Sequence, residues 1–447
     1  MPRMDRARRR ILNASGALLV ASLAGCTGTE DATETPTPAG TETPTETDTE
    51  SPTETELTTE ERLEQFAADN AALATDLHRH LAAGTEGNIF VSPYSISVAL
   101  AMTYAGARGE TERQMRETLH YTLGQQVHPA FADLRSELES RETTEGSGED
   151  EVNAFQLSTA NALWGREEYE FADDYLDLVD ENYGGGLRRA DFAGDPEGER
   201  SRINAWVAEQ TEDRTDDLLP SGSITPATVL VLTNAIYFLA SWQQKFDPDD
   251  TEDATFTALD GSESNIPMMQ QGLRTDYASV SGAEAIELKY VGGEVSMVLI
   301  LPEQGEFEAF ERSLDGETLF RVFESLGDAS GDIAMPRFEF ETSLQLSEAL
   351  SSLGMPDAFS GSADFSGMVP SDGSPQIDEV YHDAYVSVDE EGTEAAAATA
   401  VTMVSSAPSR SFDLTFDRPF LFCIRDRPTD AVLFLGRVTD AGSAQPE

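Results

Sequence analysis

The sequence contains very few cysteines and lysines. Of its 447 residues only Cys26 and Cys423 are cysteines, and only Lys245 and Lys289 are lysines. A single cysteine beyond the first 26 residues excludes an internal disulfide and a cysteine zinc cluster, so the stability of the folded part must come from its core. Within "PFLFCIRD", Cys423 is predicted to be a buried apolar residue of a strand.

Sequence motifs of the common catalytic sites are missing as well. There is no G-x-S-x-G elbow, no H-E-x-x-H zinc motif, no Walker lysine motif and no G-x-G-x-x-G after a strand. Five histidines are scattered along the chain, so the sequence leaves a hydrolase triad open without indicating one. These motifs therefore give no indication of an enzyme, and we expect no catalytic residues, no metal site and no cofactor.

Positive charge is scarce relative to negative charge. The 29 Lys and Arg residues against 83 Asp and Glu residues give a formal net charge of 29 − 83 = −54. Such repulsion would loosen a compact state in dilute buffer, but at molar salt the Debye length falls to about 3 Å and the repulsion largely disappears. The composition therefore predicts a salt-adapted protein. It argues against nucleic acid as a partner, because the surface repels phosphate, and it leaves a basic ligand open.

What is present begins with a targeting segment, predicted to span residues 1–26. The arginines of "RARRR" precede the apolar stretch "ILNASGALLVASLAG", whose fifteen residues are too few to cross a bilayer as a helix. "RRRIL" resembles a twin-arginine export signal and "LAGC" resembles a lipobox, so we predict that Cys26 is lipidated. The alternative is an uncleaved N-terminal anchor. Both arrangements predict an extracellular protein, and a lipid at Cys26 would be its only membrane contact, on the outer face of the cell membrane.

Three further segments follow the targeting segment. Residues 27–57 are almost entirely Thr, Glu and Pro and are predicted to be a disordered tether, with its glycosylation left open. Residues 58–440 are predicted to be a single folded domain, and residues 441–447 a C-terminal tail. The folded part begins with a predicted capping box, Thr58 with Glu61, ahead of an amphipathic helix.

The order of the periodic segments predicts the fold class. Helical spacing dominates the first third of the folded part, and strand-like runs dominate the remainder. No Pro/Gly linker interrupts residues 59–440, so we predict one α+β domain. On the first helix, His78 and His80 are predicted to lie on or near the polar side with a surface role.

Several segments together resemble the serpin family, in the order that the family has them, and the match covers nearly all of residues 60–438. They read "NIFVSPYSISVALAMTYAGA", "VLTNAIYFLASWQQKF", "IPMMQQ", "LKYVGGEVSMVLILP", "MPRFEFETSLQLSEALSSLGMPDAF" and "FDRPFLFCIRDRPTDAVLFLGRV". The resemblance implies a single domain of three β-sheets and about nine helices. It also implies an exposed reactive loop that lies between a hinge and the last strands.

The stretch "EEGTEAAAATAV" admits two interpretations. It is either an exposed helical turn, because alanine has the best helix propensity, or the hinge of the reactive loop. The resemblance favours a hinge made of these residues: Glu390, Glu391, Gly392, Thr393, Glu394, Ala395, Ala396, Ala397 and Ala398. Insertion as a strand buries alternate side chains. Starting from Thr393, the buried set is small or β-branched and uncharged: Thr393, Ala395, Ala397, Thr399 and Val401.

The resemblance also implies where a protease cuts the loop. Counting fourteen residues after the hinge glycine Gly392 gives Ser406, followed by Ala407. A small residue before the bond suits a protease with a small primary pocket. The stretch from Ser406 to "FDRPF" is about two residues longer than usual in the family, so a shifted bond stays open, with cleavage after Arg410 by a trypsin-like enzyme as the second choice.

Four polar residues match the family's shutter, the polar set under its central sheet. They are Ser92, Ser95, Asn234 and His382. Buried polar groups need hydrogen bonds, so disrupting this set should ease strand separation and polymerisation. For His382 alone, an ordinary loop histidine is the alternative. Trp242 matches the tryptophan of the breach, where the hinge enters the sheet, and a plain core tryptophan is compatible with that role.

These features predict a suicide-substrate inhibitor of serine proteases. The implied partner is a subtilisin-, elastase- or chymotrypsin-like enzyme, held as a covalent acyl complex, and the inhibitor is expected to be a monomer. The alternative is a non-inhibitory serpin that serves as a surface binding or carrier module. The sequence does not identify the physiological protease, and it has no basic helix of the kind that polyanion-activated serpins use.

Overall fold

The first helix begins where the sequence predicts it. The computed structural model describes residues 57–145, 152–184, 186–370, 375–393 and 410–446. Helix α1 (Thr59–Gly84) follows the N-cap Thr58, whose side-chain oxygen accepts a 3.3 Å hydrogen bond from the Glu61 amide. The Glu61 carboxylate accepts a 3.0 Å bond from the Thr58 amide in return. The predicted capping box is confirmed.

Nine α-helices lie within the described residues. They are α1 (Thr59–Gly84), α2 (Pro93–Tyr104), α3 (Gly109–Thr118), α4 (Val127–Glu139), α5 (Asp173–Tyr183), α6 (Pro196–Gln210), α7 (Phe307–Ser313), α8 (Gly316–Ser325) and α9 (Ser347–Leu353). None of the helices in this part of the chain is long and apolar enough to span a bilayer. The described residues also contain no group of three or more His, Cys, Asp or Glu side chains suited to a metal ion.

Sixteen described strands form two hydrogen-bonded sheets. The central sheet has seven strands in the order β11 (Phe338–Gln345), β12 (Glu379–Val388), β13 (Gly392–Thr393), β5 (Leu230–Ser241), β3 (Val152–Arg166) and β2 (Thr143–Glu145), with β4 (Leu187–Ala190) on β3. The second sheet has nine strands in the order β1 (Ile89–Val91), β16 (Val432–Val438), β15 (Phe420–Asp426), β9 (Val295–Pro302), β8 (Ala283–Lys289), β7 (Glu263–Val280), β10 (Gly327–Pro336) and β14 (Ser411–Thr415), with β6 (Glu252–Thr257) on β7.

The second sheet combines two of the three sheets that the resemblance implied. Its strand β7 is 18 residues long. Residues 268–277 of β7 pair with β10, and residues 276–280 pair with β8. Because one long strand bonds to different neighbours along its length, the hydrogen-bond ladder continues from one group of strands into the other. The count of three sheets therefore becomes two among the described residues, while the α+β architecture is confirmed.

The prediction of a surface role for His78 is wrong. Its side chain is fully buried, and Nε2 lies 2.9 Å from a carboxylate oxygen of Glu311. The other Glu311 oxygen accepts a 2.8 Å hydrogen bond from Arg437. Helix α1 packs against α2, α4, α8 and β16, so neighbours distant in sequence cover the side that looks polar in the sequence.

The core lies between the central sheet and the second sheet. Helix α2 occupies this layer and contacts β3, β5 and β16. Cys423 is fully buried in β15, as predicted, and burial raises the pKa of its thiol to about 12. Helix α2 thus carries its N-terminal residues directly beneath the middle strands of the central sheet.

Candidate functional site

The two middle strands of the central sheet, β5 and β12, touch along only part of their length. Residues 379–384 of β12 pair in parallel with residues 231–236 of β5. Farther along, β13 lies between them, with Thr393 opposite both Val388 of β12 and Ala240 of β5. The sheet is therefore closed at one end and already opened at the other by the predicted hinge.

Gly392 occupies a position where a side chain does not fit. A Cβ atom on this residue would lie 2.1 Å from the carbonyl oxygen of Ala240, and its φ angle is 157°. The preceding turn is held by Asp389, whose carboxylate accepts hydrogen bonds from the amides of Glu391 (2.8 Å) and Gly392 (3.2 Å). Glycine permits both the close approach and the backbone angle, so the chain can turn back between the two strands here.

Thr393 is fixed under the sheet by an aromatic pair. Its side chain is 1% exposed, and its hydroxyl oxygen lies 2.8 Å from that of Tyr290. The Tyr290 ring stacks on Trp242 with 4.6 Å between ring centres. The Trp242 indole N–H donates a 2.9 Å hydrogen bond to the carbonyl of Asp389. Trp242 is thus a core residue that also contacts the hinge.

Ion pairs hold the two acidic residues that precede the hinge glycine. Arg337 Nε donates a 2.8 Å hydrogen bond to the Glu390 carboxylate, which also accepts one from the Thr251 hydroxyl. Burial would raise the pKa of Glu390, but these hydrogen bonds lower it below its ordinary value. Glu391 accepts a 3.0 Å bond from Lys245, one of the two lysines in the chain. Sequence reasoning missed Arg337 and Thr251 as partners of the hinge.

The four predicted shutter residues meet at the closed end of the two strands. Ser92 is the N-cap of α2 and is followed by proline, a sequence that favours a helix start. Its amide donates a 3.3 Å hydrogen bond to His382 Nε2. Ser95, in the first turn of α2, accepts a 2.6 Å bond from the Asn234 side chain. Asn234 also accepts a hydrogen bond from His382 Nδ1, and all four side chains are fully buried.

Burial and hydrogen bonding determine the protonation state of His382. Burial lowers the pKa of this imidazole to about 3, although Asn234 acts in the opposite direction. The ring is therefore neutral near pH 7. Because Nε2 accepts from the Ser92 amide, the proton resides on Nδ1 and is donated to Asn234. His382 and Asn234 are register partners on β12 and β5, so this bond crosses the junction between the two strands.

Asn161 belongs to the same polar cluster and was not predicted. It is the register partner of Asn234 on β3. Its side-chain oxygen accepts a 2.8 Å hydrogen bond from the Ser95 hydroxyl and another from Asn234. The available signal was an asparagine inside the apolar stretch "STANALWG". Interpreting that signal requires knowing which strand lies beside β5.

The remaining predicted residues fall outside this cluster. Glu394, Ala395, Ala396, Ala397, Ala398, Ser406, Ala407 and Cys26 lie outside the described residues. Arg410 is described and exposed, and its carbonyl accepts a 3.2 Å hydrogen bond from the Ser330 amide. The structure thus brings the predicted start of the hinge to Trp242 and groups the four predicted shutter residues in a separate cluster. The hinge and shutter pairs lie six residues apart along the strands, about 20 Å.

A matched pH series tests the role of His382. Between pH 6.5 and 3 the folded state binds one proton fewer than the unfolded state, so this group loses its stabilising contribution as the pH falls, by about 1.4 kcal/mol per pH unit. The variant His382→Asn should be less stable at pH 7 but should lose stability less steeply between pH 6.5 and 5. Urea midpoints at several pH values measure the slope.

Other groups titrate in the same range and cancel in that comparison, His128 and Asp383 among them. Burial lowers the pKa of His128 to about 4 and raises the pKa of Asp383 to about 7. Both are present in the wild-type protein and in the variant, so the difference in slope reports His382. Equal slopes would show that His382 is not a buried neutral base.

The chain is similar to known proteins of one family. The family model described as "Serpin (serine protease inhibitor)" matches residues 68–441. An uncharacterized serpin-like protein of Thermococcus kodakarensis is 38% identical over 366 residues, covering 81% of this chain and 83% of the relative. The leukocyte elastase inhibitor of Sus scrofa is 38% identical over 387 residues, covering 84% of this chain and 100% of the relative. The crystal structure of tengpin, a thermophilic serpin in the native state, is similar with a TM-score of 0.74 and 28% identity, covering 84% and 94% of the two chains.

Proposed function

Because the chain belongs to the serpin family, we propose that it inhibits serine proteases as a suicide substrate. The target protease cleaves the reactive loop, and the N-terminal arm of the loop then inserts between β5 and β12. The observation that carries this proposal is the position of Thr393, which already pairs with both strands, directly after Gly392, which pairs with β5. Continued insertion needs no rearrangement at the hinge itself.

Extending the register of β13 determines which loop residues would face the core. If the antiparallel pairing of β13 with β12 and β5 continues along the loop, residue 395 is aligned with Val386 and Phe238. Residue 397 is then aligned with Ala384 and Ile236. Directly paired residues share one face of a sheet. All four of these partners are buried, so alternate loop residues from Thr393 onward would enter the core. This set is the one predicted from the sequence.

The same register brings the loop to the shutter. Residue 399 would lie between His382 and Asn234, which now bond to each other. Insertion therefore requires the parallel pairing of residues 379–384 with residues 231–236 to separate. One parallel ladder would be replaced by two antiparallel ladders. We propose that the shutter hydrogen bonds keep this junction closed until the loop is cut.

The energy of insertion is sufficient to trap a protease. Residues 393–406 comprise fourteen residues, which span roughly 46 Å as a strand at about 3.3 Å each. If each adds a net hydrogen bond of ~0.5–1.5 kcal/mol, insertion contributes on the order of 10 kcal/mol. This resembles the stability of a whole domain. Strand insertion of a serpin loop is an established example of β-strand addition and strain release.

The covalent step is an ordinary acyl transfer. The protease serine attacks the carbonyl carbon of Ser406, an ester bond forms, and the amide bond to Ala407 breaks. The amine of Ala407 takes the proton and leaves as a new N-terminus. Insertion faster than hydrolysis of the ester carries the acyl-linked protease across the molecule and deforms its active site. A bond after Arg410 is the second choice.

Two observations support a target with a small primary pocket. Serine at position 406 is small, and a relative that covers most of this chain is named as an elastase inhibitor. We also propose that the inhibitor is a monomer exported by a salt-adapted cell. A lipid at Cys26 would anchor it on the outer face of the membrane. There it would meet secreted proteases.

Incubation with a panel of proteases in concentrated salt tests the function. Subtilisin, chymotrypsin, elastase and trypsin are mixed with the protein and separated on denaturing gels. We expect a complex that resists SDS with one of the first three, and mass spectrometry should find new termini at Ser406 and Ala407. Loop cleavage without any complex would instead favour a non-inhibitory serpin. An SDS-resistant complex with trypsin alone would move the bond to Arg410.

A further inference from the structure

A cluster of arginines and tryptophans lies at the edge of the central sheet formed by β4. The Arg188 guanidinium lies 4.4 Å from the ring centre of Trp206 on α6 and 5.6 Å from that of Trp164 on β3. Arg202 of α6 lies 5.0 Å from the same Trp164 ring. On the next residue of β4, the Arg189 guanidinium lies 5.8 Å from a phenylalanine ring. Stacking on aromatic rings fixes guanidinium groups in place.

Both arginines of β4 lack an acidic partner. Within the described ranges, no carboxylate lies within ion-pair distance of Arg188 or Arg189, whereas Arg202 is paired with Glu199. Both β4 arginines are exposed, and the chain has a net charge of −54. Partial loss of solvent around its guanidinium and the neighbouring Arg202 lower the pKa of Arg188. An anion beside Arg188 would relieve this repulsion.

The outer edge of β4 also offers main-chain hydrogen-bonding groups. The strand pairs only with β3 among the described strands. The amide of Leu163 donates to the carbonyl of Gly186 (2.7 Å), and the amide of Glu167 donates to that of Ala190 (3.0 Å). The main-chain groups of successive strand residues point alternately to one neighbour and to the other side. The amides and carbonyls of Leu187 and Arg189 therefore point away from β3. The Arg189 carbonyl accepts a hydrogen bond from the Arg202 side chain. Three groups remain on this edge: the amide and carbonyl of Leu187 and the amide of Arg189.

The charge of β4 differs from that of other strands at the edges of the sheets. Strand β6 bonds only to β7 and carries Glu252 and Asp253, and strand β14 bonds only to β10 and carries Asp413. Strand β11 presents further glutamates. Charged edge residues prevent unwanted strand pairing, and this chain uses acids for that purpose. The basic edge repels positively charged strands and attracts acidic ones.

We propose that the β4 edge binds an acidic, extended peptide segment of another protein. The segment would add as a strand beside β4, and adjacent carboxylates would pair with Arg188 on one face and Arg189 on the other, because successive strand residues point to opposite faces. Two adjacent acids would therefore bind better than two acids separated by one residue. This site is independent of the reactive loop.

Fluorescence anisotropy with labelled peptides tests the site on the intact protein. The probe is a blocked hexapeptide with two adjacent glutamates between valine and threonine residues, and the matched peptide carries glutamines instead. We expect Arg188→Gln to weaken binding of the glutamate peptide at least five-fold. Arg312→Gln is the control, because Arg312 is also exposed and has no carboxylate within ion-pair distance among the described residues. It should change binding less than two-fold.

Three results would overturn the proposal. They are equal losses in the two variants, equal binding of the glutamate and glutamine peptides, and undiminished binding when the two glutamates are separated by one residue. If Arg188→Gln fails to fold, Arg189→Gln should give the same five-fold loss, and no loss would also overturn the proposal. Sulfate binding to the wild-type protein, with no binding of either peptide, would show an anion site only and would contradict strand addition.

Discussion

The variant Ala395→Arg is expected to convert the protein from an inhibitor into a substrate. Residue 395 is aligned by the register of β13 with Val386 and Phe238, which are 0% and 2% exposed. Burying an unpaired arginine there costs several kcal/mol. That cost is a large part of an insertion energy on the order of 10 kcal/mol. This cost arises early, before most of the strand has formed, so insertion becomes slower than hydrolysis of the acyl-enzyme.

The matched control is Ala396→Arg. This neighbour starts from the same residue and receives the same charge, but it would face the other side of the sheet, beside half-buried Tyr385 and beside Tyr237, which is 7% exposed. The number of inhibitor molecules consumed per protease molecule inactivated should rise at least ten-fold for Ala395→Arg and change little for Ala396→Arg. Titration of a fixed amount of protease measures both. Equal effects of the two substitutions would contradict the alternation on which the insertion proposal depends.

Cleavage of the reactive loop is expected to raise the melting temperature by about 12 °C. An unfolding entropy of about 2.1 cal/mol/K per residue gives about 0.8 kcal/mol/K for residues 58–440, so a gain on the order of 10 kcal/mol corresponds to this shift. The gain comes from the ladders that the inserted strand forms with β5 and β12. A nick without insertion would only add chain ends and would leave the melting temperature unchanged or lower.

Differential scanning calorimetry of the intact and nicked protein in the same salt measures this shift. Nicked Ala395→Arg serves as the control, because its loop is cut at the same bond and inserts poorly. Its melting temperature should rise much less. A nicked wild-type protein that melts no higher than the intact protein would remove the thermodynamic basis of the inhibitory mechanism, whatever complexes are seen with proteases.

Some features of the fold and site could be predicted because they depend on local chemistry. The capping box of Thr58 and Glu61 involves residues three apart, and the helix start at Ser92 follows from a cap residue before proline. The hinge could be proposed because the family resemblance locates it and strand insertion restricts the size and charge of alternate residues along a single segment. The burial of Cys423 follows from the apolar run that contains it.

Other features depended on contacts between distant segments. Asn161 and Asn234 are 73 residues apart and meet only because β3 and β5 pair in one register. Arg337 and Glu390 are 53 residues apart. His78 appears polar on its own helix, yet packing against several elements buries it beside Glu311.

The sequence by itself therefore determined the α+β class and the small, uncharged character of the residues predicted to insert, while the hinge stays a prediction from the family resemblance. Only the tertiary structure decided which side chains contact Glu390 and Glu391, that Asn161 joins the polar cluster of Ser95 and Asn234, and that two expected sheets are continuous through β7. The physical reason is that periodicity and capping act within a few residues, whereas strand register and burial depend on which distant segments become neighbours.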